Sequence, residues 1–299
     1  MALVQNNNVY FDGLVISEIG LRVEKVLRTR QELEQYVTCL EDGSYCATYH
    51  NLLLKSAFQP IVTPSGELYA YEALMRMYTE DGELVNTGDM IRMYQNIEAH
   101  LINIDRLARV IHLRNFAEFF SDSKLFINMT PVAIIDSLRP AFKQSLLIPR
   151  ILELGLSPDH IFIEILEHYC DDDINLVNAI RAMHQDGLQI AIDDYGSQGS
   201  SEIRTRAVMP GLIKIDQSLL QQYLDGQLTP MLDAIQVARE INAKVLIEGV
   251  ENKRAFQTAI ALGADLLQGY YTGHPKIVGQ SDLPNIPSMS PEKLLLTES

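Results

Sequence analysis

A chain of 299 residues, 47% of them hydrophobic, holds enough apolar material for one large core or two smaller ones. Lys and Arg total 24 against 39 Asp and Glu, a formal charge of −15. That balance excludes a nonspecific grip on a nucleic-acid polymer, yet it admits a small phosphorylated ligand held by cations and one or two arginines. No apolar run approaches ~18 residues, so no membrane-spanning helix is expected. Cys39, Cys46 and Cys170 form no CxxC pair and no disulfide framework, and they read as buried or idle thiols. The opening MALVQNNNVYFDG has neither the basic region nor the apolar run of a secretory signal, so a reducing cytoplasm is the expected compartment.

Residues 1–18 read as an irregular arm or a short strand. From Leu21 to Leu40 the straight-chain residues of LRVEKVLRTRQELEQYVTCL predict a helix, and a second short helix is expected from Tyr49 to Lys55. Residues 1–54 therefore read as an arm and helical extension. Strands and helices alternate after that point, with strands expected at 58–62, 68–75, 124–129, 161–166, 188–193, 211–215, 244–248 and 264–268. Helices lie between them, as in INLVNAIRAMHQDG and TPMLDAIQVAREINAK. In the second, Leu232, Ile235, Ala238 and Ile241 recur at three-residue spacing and predict one apolar face. Eight strands with helical crossovers favour a closed (β/α)8 barrel over a doubly wound sheet. The Gly-rich dinucleotide fingerprint is missing, and GSQGSS at 196–201 lacks the Gly-Lys-Ser/Thr of a phosphate loop. The barrel domain is expected over 55–280. Residues 281–299, with Pro284, Pro287 and Pro291, read as a loosely ordered tail.

Polar residues fall at or near the ends of the apolar strand runs: Glu72, Asn128, Glu164, Asp193, Asp194, Glu248 and Gln268. A carboxylate at the end of a buried strand costs several kcal/mol to desolvate unless something compensates it. Barrel topology makes such residues converge on one mouth, and a shared ligand of one or more cations is the simplest compensation. Oxygen donors without His or Cys suit hard divalent ions such as Mg2+ or Mn2+. His160, His168 and His184 fit no ligand spacing. The adjacent Asp193 and Asp194 point further, to two cations about 3.5–4 Å apart. For any single acid, a solvated loop start or an arginine pair is the competing reading.

Lys214 and Asp216 alternate along LIKID and share a face. Beside bound cations a lysine is disfavoured in its charged form, which suits it to accept a proton or orient water. A plain salt bridge among Lys214, Asp216 and a neighbouring acid is the alternative. Arg76, expected just beyond a strand end, reads either as a phosphate fork or as a surface cation. Gln59 and Gln268 suit a base edge or a water equally with a structural role. Glu167 reads as a brace for the loop after Asp194.

The chain resembles the EAL phosphodiesterase family, which hydrolyses cyclic dimeric GMP. The resemblance rests on FQPIV at 58–62, Glu72-Ala73-Leu74 with Arg76, INMTP at 127–131, EILE at 164–167, DDYG at 193–196, KIDQS at 214–218, EGVE at 248–251 and QGY at 268–270. It implies a modified (β/α)8 barrel with one strand antiparallel to the others, and two Mg2+ or Mn2+ ions that activate water to give linear pGpG. By that resemblance Glu72, Asn128, Glu164, Asp193 and Glu248 are metal ligands, and Asp194 serves the second metal. Lys214 orients or deprotonates water, with Glu248 and Glu167 also in the catalytic set. Gln59, Arg76, Asp216 and Gln268 contact substrate or site water. A homodimer and a regulatory protein partner are further expectations. Two departures stand out. YGSQGSS replaces the usual FGTGYSS at 195–201, and Thr272 and His274 stand where Phe and Arg are usual. They predict slow or partner-gated catalysis, with a cyclic-di-GMP receptor of little or no activity as the alternative.

Overall fold

The computed structural model describes residues 3–5, 8–11, 14–16, 25–94, 97–137, 147–165, 173–197 and 202–279. Glu167, His168, Cys170, Gln198, Gly199 and the 281–299 segment lie outside the described residues.

Strands β1 (Leu3–Gln5), β2 (Asn8–Phe11) and β3 (Leu14–Ile16) pair antiparallel in a small sheet of their own. The helix expected over 21–40 is confined, among the described residues, to α1 (Arg30–Glu34). Thr29 and Glu32 cap each other's backbone at its start. The β-branched Val37 and Thr38 then favour extended chain, and β4 (Val37–Cys39) pairs with β5 (Tyr45–Tyr49). The short helix expected at 49–55 is also replaced by strand. His50 and Asn51 both take left-handed conformations, φ 45° and 62°, and turn the chain tightly from β5 into β6 (Leu52–Val62).

The remaining strands are β7 (Leu68–Tyr78), β8 (Leu84–Val85), β9 (Lys124–Met129), β10 (Ile161–Ile165), β11 (Gln189–Tyr195), β12 (Leu212–Ile215), β13 (Lys244–Ile247), β14 (Leu266–Leu267) and β15 (Lys276–Ile277). Eight strands close a barrel in the order β6-β7-β9-β10-β11-β12-β13-β14 and back to β6. Strand β6 is antiparallel to both neighbours, and the other seven run parallel. This is the expected modified barrel. The β6–β7 hairpin is longer than the sequence pattern indicates, because β6 starts at Leu52 and β7 runs on to Tyr78.

Helices α2 (Thr87–Tyr94), α3 (Glu98–Phe119), α4 (Pro131–Ser137), α5 (Leu147–Glu153), α6 (Asp173–Gln185), α7 (Glu202–Val208), α8 (Gln217–Leu224), α9 (Thr229–Glu240) and α10 (Lys253–Ala261) accompany the strands. On α9 the buried residues are Met231, Ala234, Val237 and Ala238, whereas Leu232 is exposed. A strict three-residue spacing drifts across the face of a 3.6-residue helix, so Ala238, the buried Ile241 and the half-buried Ile235 keep the expected face while Leu232 at its start falls off it.

Inside the barrel, Ile61, Ala70, Phe126, Phe162, Ala191, Leu212, Leu246 and Leu266 pack into one apolar layer with one residue from each barrel strand. Phe126 and Phe162 stack at 4.2 Å within it. At the strands' N-terminal end, the Lys124 and Lys244 ammonium groups lie 4.4 and 5.3 Å from the Tyr69 ring centre.

Candidate active site

A step of two residues along a strand returns a side chain to the same face. Applied to every member of the apolar layer, in the direction of the parallel strands' C-terminal ends, that step leads to Gln59, Glu72, Asn128, Glu164, Asp193, Lys214, Glu248 and Gln268. The register agrees, since Gln59 pairs with Glu72 and Asn128 with Glu164. One apolar layer is thus followed by one wholly polar layer. The polar ring is a direct product of period-2 alternation on a barrel whose strands end together.

Lys214 occupies the centre and is only 1% exposed. Its Nζ lies 2.7 Å from Glu164 Oε1, 2.7 Å from Asp193 Oδ1, 3.0 Å from Glu248 Oε1 and 3.4 Å from Glu72 Oε1. Glu72 Oε1 also accepts from Asn128 Nδ2 at 3.3 Å, and its Oε2 accepts from Gln268 Nε2 at 2.5 Å. Asp194 follows at the mouth, exposed, with φ 52°. Its backbone oxygen accepts from the Ser197 N–H at 3.1 Å.

Five buried oxygens of this ring make no hydrogen bond among the described residues: Asn128 Oδ1, both Glu164 oxygens, Asp193 Oδ1 and Gln268 Oε1. Glu164 Oε1 and Asp193 Oδ1 face the Lys214 ammonium without hydrogen-bond geometry, so they remain available as ligand atoms. Two sets of carboxylates bring ligand oxygens within 4.8 Å of one another, Glu72–Glu164–Asp193 and Asp193–Asp194–Glu248. Asp193 belongs to both. Buried, unsatisfied hard oxygens of this kind fit divalent cations, and the chemistry of the donor set agrees with Mg2+ or Mn2+.

The electrostatics show what a cation would relieve. Burial, reinforced by Glu72, holds the Glu164 carboxyl well above the usual range. Burial likewise raises Asp193, pushes Asp194 up to about 6 beside Asp193, and pushes Glu248 up to about 8. Glu72 goes the other way, because Lys214 and the Gln268 and Asn128 hydrogen bonds outweigh its burial. Burial opposes the charge on Lys214, yet Asp193, Glu164, Glu248 and Glu72 hold it protonated well above the ordinary lysine value. The carboxylates alone therefore act on Lys214 in the sense opposite to that expected beside bound cations.

A pH dependence follows. Glu248 and Asp194 titrate higher in the folded chain than the ~4.3 and ~3.9 of unfolded carboxyls. Between those values the native state binds more protons, so stability falls as pH rises. Lys214 stays charged throughout that window, and the depressed Glu72 acts only below it. The melting temperature of chelator-treated protein is expected to fall from pH 5 to pH 8, and Mn2+ is expected to flatten the decline. A melting curve series with and without Mn2+ checks both.

The other predicted residues sit further out. Arg76 lies within β7 and not beyond it, half-buried on the Glu72 face, with Nη1 donating to the Met75 carbonyl at 3.1 Å. Asp216 caps α8, accepting from the Ser218 N–H at 3.0 Å and from its hydroxyl. Gln59 Nε2 donates to the Gly273 carbonyl at 3.1 Å. Gly269 is required beside Gln268, because a Cβ there would come within 2.3 Å of the Val250 backbone. Sequence reasoning passed over Asp105 on α3, which accepts from the Thr130 N–H at 2.8 Å and fixes the chain just after Asn128. A lone acid inside a charged helix offers no signal for that role.

Fold and site together define a modified (β/α)8 barrel with a cation-binding acidic mouth. The EAL domain family matches residues 47–275, and the chain belongs to that family. It is 25% identical over 257 residues to the cyclic di-GMP phosphodiesterase PdeF of Escherichia coli strain K12, covering 83% of this chain and 33% of PdeF. Among solved structures it is similar to Bacillus subtilis YkuI, which has an EAL domain and was solved with cyclic di-GMP and calcium. That match has TM-score 0.67 and 24% identity, covering 81% of this chain and 59% of that one. Klebsiella pneumoniae BlrP1, solved with manganese and cyclic di-GMP, matches with TM-score 0.61 and 23% identity over 75% of this chain and 56% of that one. The chain spans about one third of the length of PdeF and of the Pseudomonas aeruginosa protein MucR. Among the described residues, no helix is long and apolar enough to cross a membrane.

Proposed function

We propose that this mouth hydrolyses one phosphodiester bond of cyclic di-GMP to linear pGpG with two Mg2+ or Mn2+ ions per site. The observation that carries the reading is Asp193, which is common to two converging sets of ligand oxygens. In it Glu72, Asn128, Glu164, Asp193 and Glu248 hold the first cation, and Asp194 with Asp193 and Glu248 serves the second. Cations held there supply positive charge against the nonbridging phosphate oxygens and lower the pKa of water. Without them the −15 chain would repel a dianionic dinucleotide.

Lys214 stands between the two ligand sets and donates to the oxygen that attacks phosphorus, fixing its line of approach. The half-buried Arg76 holds a phosphate oxygen through its planar fork. Gln268 fixes the Glu72 carboxylate and leaves its own Oε1 to a site water. Gln59 and Asp216 contact substrate, Asp216 through the oxygen not used in capping α8. Glu167 braces the loop that follows Asp194. The barrel domain spans 55–280, and self-association with a regulatory partner completes the reading.

Incubating the purified protein with cyclic di-GMP and either metal, then resolving products by chromatography, is expected to yield linear pGpG. Saturable binding without any linear product would establish a receptor in place of an enzyme. Neither binding nor product would remove both readings.

A further inference from the structure

Strands β6 and β7 continue side by side past the polar ring, with Gln59 paired to Glu72, Ala57 to Leu74, Lys55 to Arg76 and Leu53 to Tyr78. A two-residue step keeps a side chain on one face, so all four pairs share the face of the ring. The third pair sets two cations directly opposite each other. Like charges in that position destabilise a sheet, and both of these side chains are half-buried. The hairpin carries them in a chain of 24 basic and 39 acidic residues, where an acidic neighbour is easily supplied.

No acid answers the pair among the described residues. Arg76 gives Nη1 to the Met75 carbonyl at 3.1 Å, and its Nε and Nη2 make no hydrogen bond there. Lys55 Nζ lies 6.0 Å from the centre of the Tyr78 ring. Asp42 borders the same small recess as Lys55, but its Oδ1 takes the Ser44 N–H at 2.9 Å and the Ser44 hydroxyl at 2.6 Å. Arginines elsewhere do find acids: Arg106 reaches Asp136 at 2.6 Å, Arg206 reaches Glu240 at 2.6 Å and Arg239 reaches Asp265 at 2.8 Å. Two opposed, half-buried and unanswered cations on the wall of a mouth call for an anion.

Position says which anion. The Lys55–Arg76 pair lies four residues, or about 13 Å, along the strands from Gln59–Glu72. Long side chains leaning along a strand shorten that gap without closing it. A single phosphate does not span both levels, whereas two phosphates of one dinucleotide do. The apolar Ala57–Leu74 pair between them offers a floor for the sugar.

We propose that Lys55 joins Arg76 in a second phosphate subsite, which holds the phosphodiester of cyclic di-GMP that is not cut. Arg76 supplies the planar fork and Lys55 a point charge. The assignment rests on the cyclic di-GMP reading of the mouth. After hydrolysis the same subsite keeps the internal diester of pGpG, whose 5′-phosphate stays at the cations.

Calorimetric titration of the full chain with pGpG in Mn2+ reads the subsite without turnover, and 5′-GMP, which lacks the internal diester, is the control. Lys55→Gln is expected to weaken pGpG about tenfold and to leave 5′-GMP binding at the wild-type level. The plot of log affinity against log salt is expected to lose about one unit of slope. Lys55→Arg keeps the charge and is expected to bind pGpG within about twofold of wild type. Removing one of two opposed like charges is expected to raise the melting temperature of the ligand-free chain slightly. Failure of the wild-type chain to bind pGpG overturns the subsite, as does an equal loss of pGpG and 5′-GMP affinity in Lys55→Gln. If wild type yields pGpG from cyclic di-GMP while Lys55→Gln keeps its affinity and salt slope, the subsite falls and the hydrolytic reading stands. If no product forms, yet Lys55→Gln loses pGpG alone, the hydrolytic reading falls and the subsite stands.

Discussion

Glu72→Gln (E72Q) is expected to slow hydrolysis of cyclic di-GMP by about 10^3-fold while the barrel stays folded. The side chain keeps its shape, so the packing around a residue only 6% exposed is preserved. Its chemistry changes at three contacts. The Gln268 Nε2 group now donates to Glu72 Oε2 at 2.5 Å, and Asn128 and Lys214 approach Oε1 at 3.3 and 3.4 Å. An amide presents one acceptor oxygen in place of two, so a donor is left facing a donor. The ring also loses a formal charge from the Glu72–Glu164–Asp193 set. About 10^3 in rate corresponds to ~4 kcal/mol of lost transition-state stabilisation. Three readouts separate the causes: circular dichroism for the fold, Mn2+ titration for the cation site, and kcat at saturating metal for the chemistry. A rate equal to that of the unaltered chain would show that the assigned mouth is not where the bond is cut.

Much of that mouth is legible without coordinates, and the reason is geometric. Barrel strands alternate with period 2 and end together, so an apolar residue followed two positions later by a polar one marks the same level on every strand. Ala70 and Glu72, Phe162 and Glu164, Leu212 and Lys214 show that step directly. The antiparallel β6 obeys it backwards, from Ile61 to Gln59. Strand ends were harder to read. Met75 and Met77 pack outward on β7 while Arg76 shares the Glu72 face, and nothing in the local pattern says that the hairpin continues beyond the barrel.

The region before the barrel departs from its local helix propensity for a different reason. Its residues are straight-chain helix formers, but their partners lie 70 to 80 positions away on α3. Asn103 Oδ1 accepts from the Leu27 N–H at 2.7 Å, and Asn115 exchanges bonds with both the N–H and the carbonyl of Tyr45. Those side chains satisfy the extended backbone of the N-terminal segment, which removes the advantage a helix would offer it. Asn103, Arg106, His112 and Asn115 are all buried on α3, a polar face that a hydrophobic periodicity does not detect. His112 sits there neutral, its pKa pushed down to about 3 by burial and by Arg109, with Nδ1 on the Ser56 hydroxyl at 2.8 Å. Local propensity lost to long-range hydrogen bonding.

Lys214→Met is expected to destabilise the metal-free chain at pH 8 by roughly 3–5 kcal/mol. Lys214 is the cation within reach of Glu72, Glu164, Asp193 and Glu248, all within 3.4 Å of its Nζ. Methionine fills the space but returns none of the charge, so four carboxyls are left to repel one another in a buried ring. The cost depends on pH in a defined direction. Glu164, Asp193 and Glu248 all titrate above the usual carboxylate range, and without Lys214 they rise further. At pH 5 Glu248, pushed up to about 8, holds its proton, the upward shifts of Glu164 and Asp193 act in the same sense, and the penalty shrinks toward that of a cavity-conserving substitution. Mn2+ at pH 8 restores most of the loss, because bound cations replace the ammonium as the compensating charge. Urea unfolding at pH 5 and pH 8, with and without Mn2+, reads all four conditions. Equal midpoint shifts at the two pH values would mean that packing, and not charge, is what Lys214 supplies to the fold. If Mn2+ restores stability while hydrolysis stays lost, the lysine acts on the reaction itself beyond balancing the acids around it.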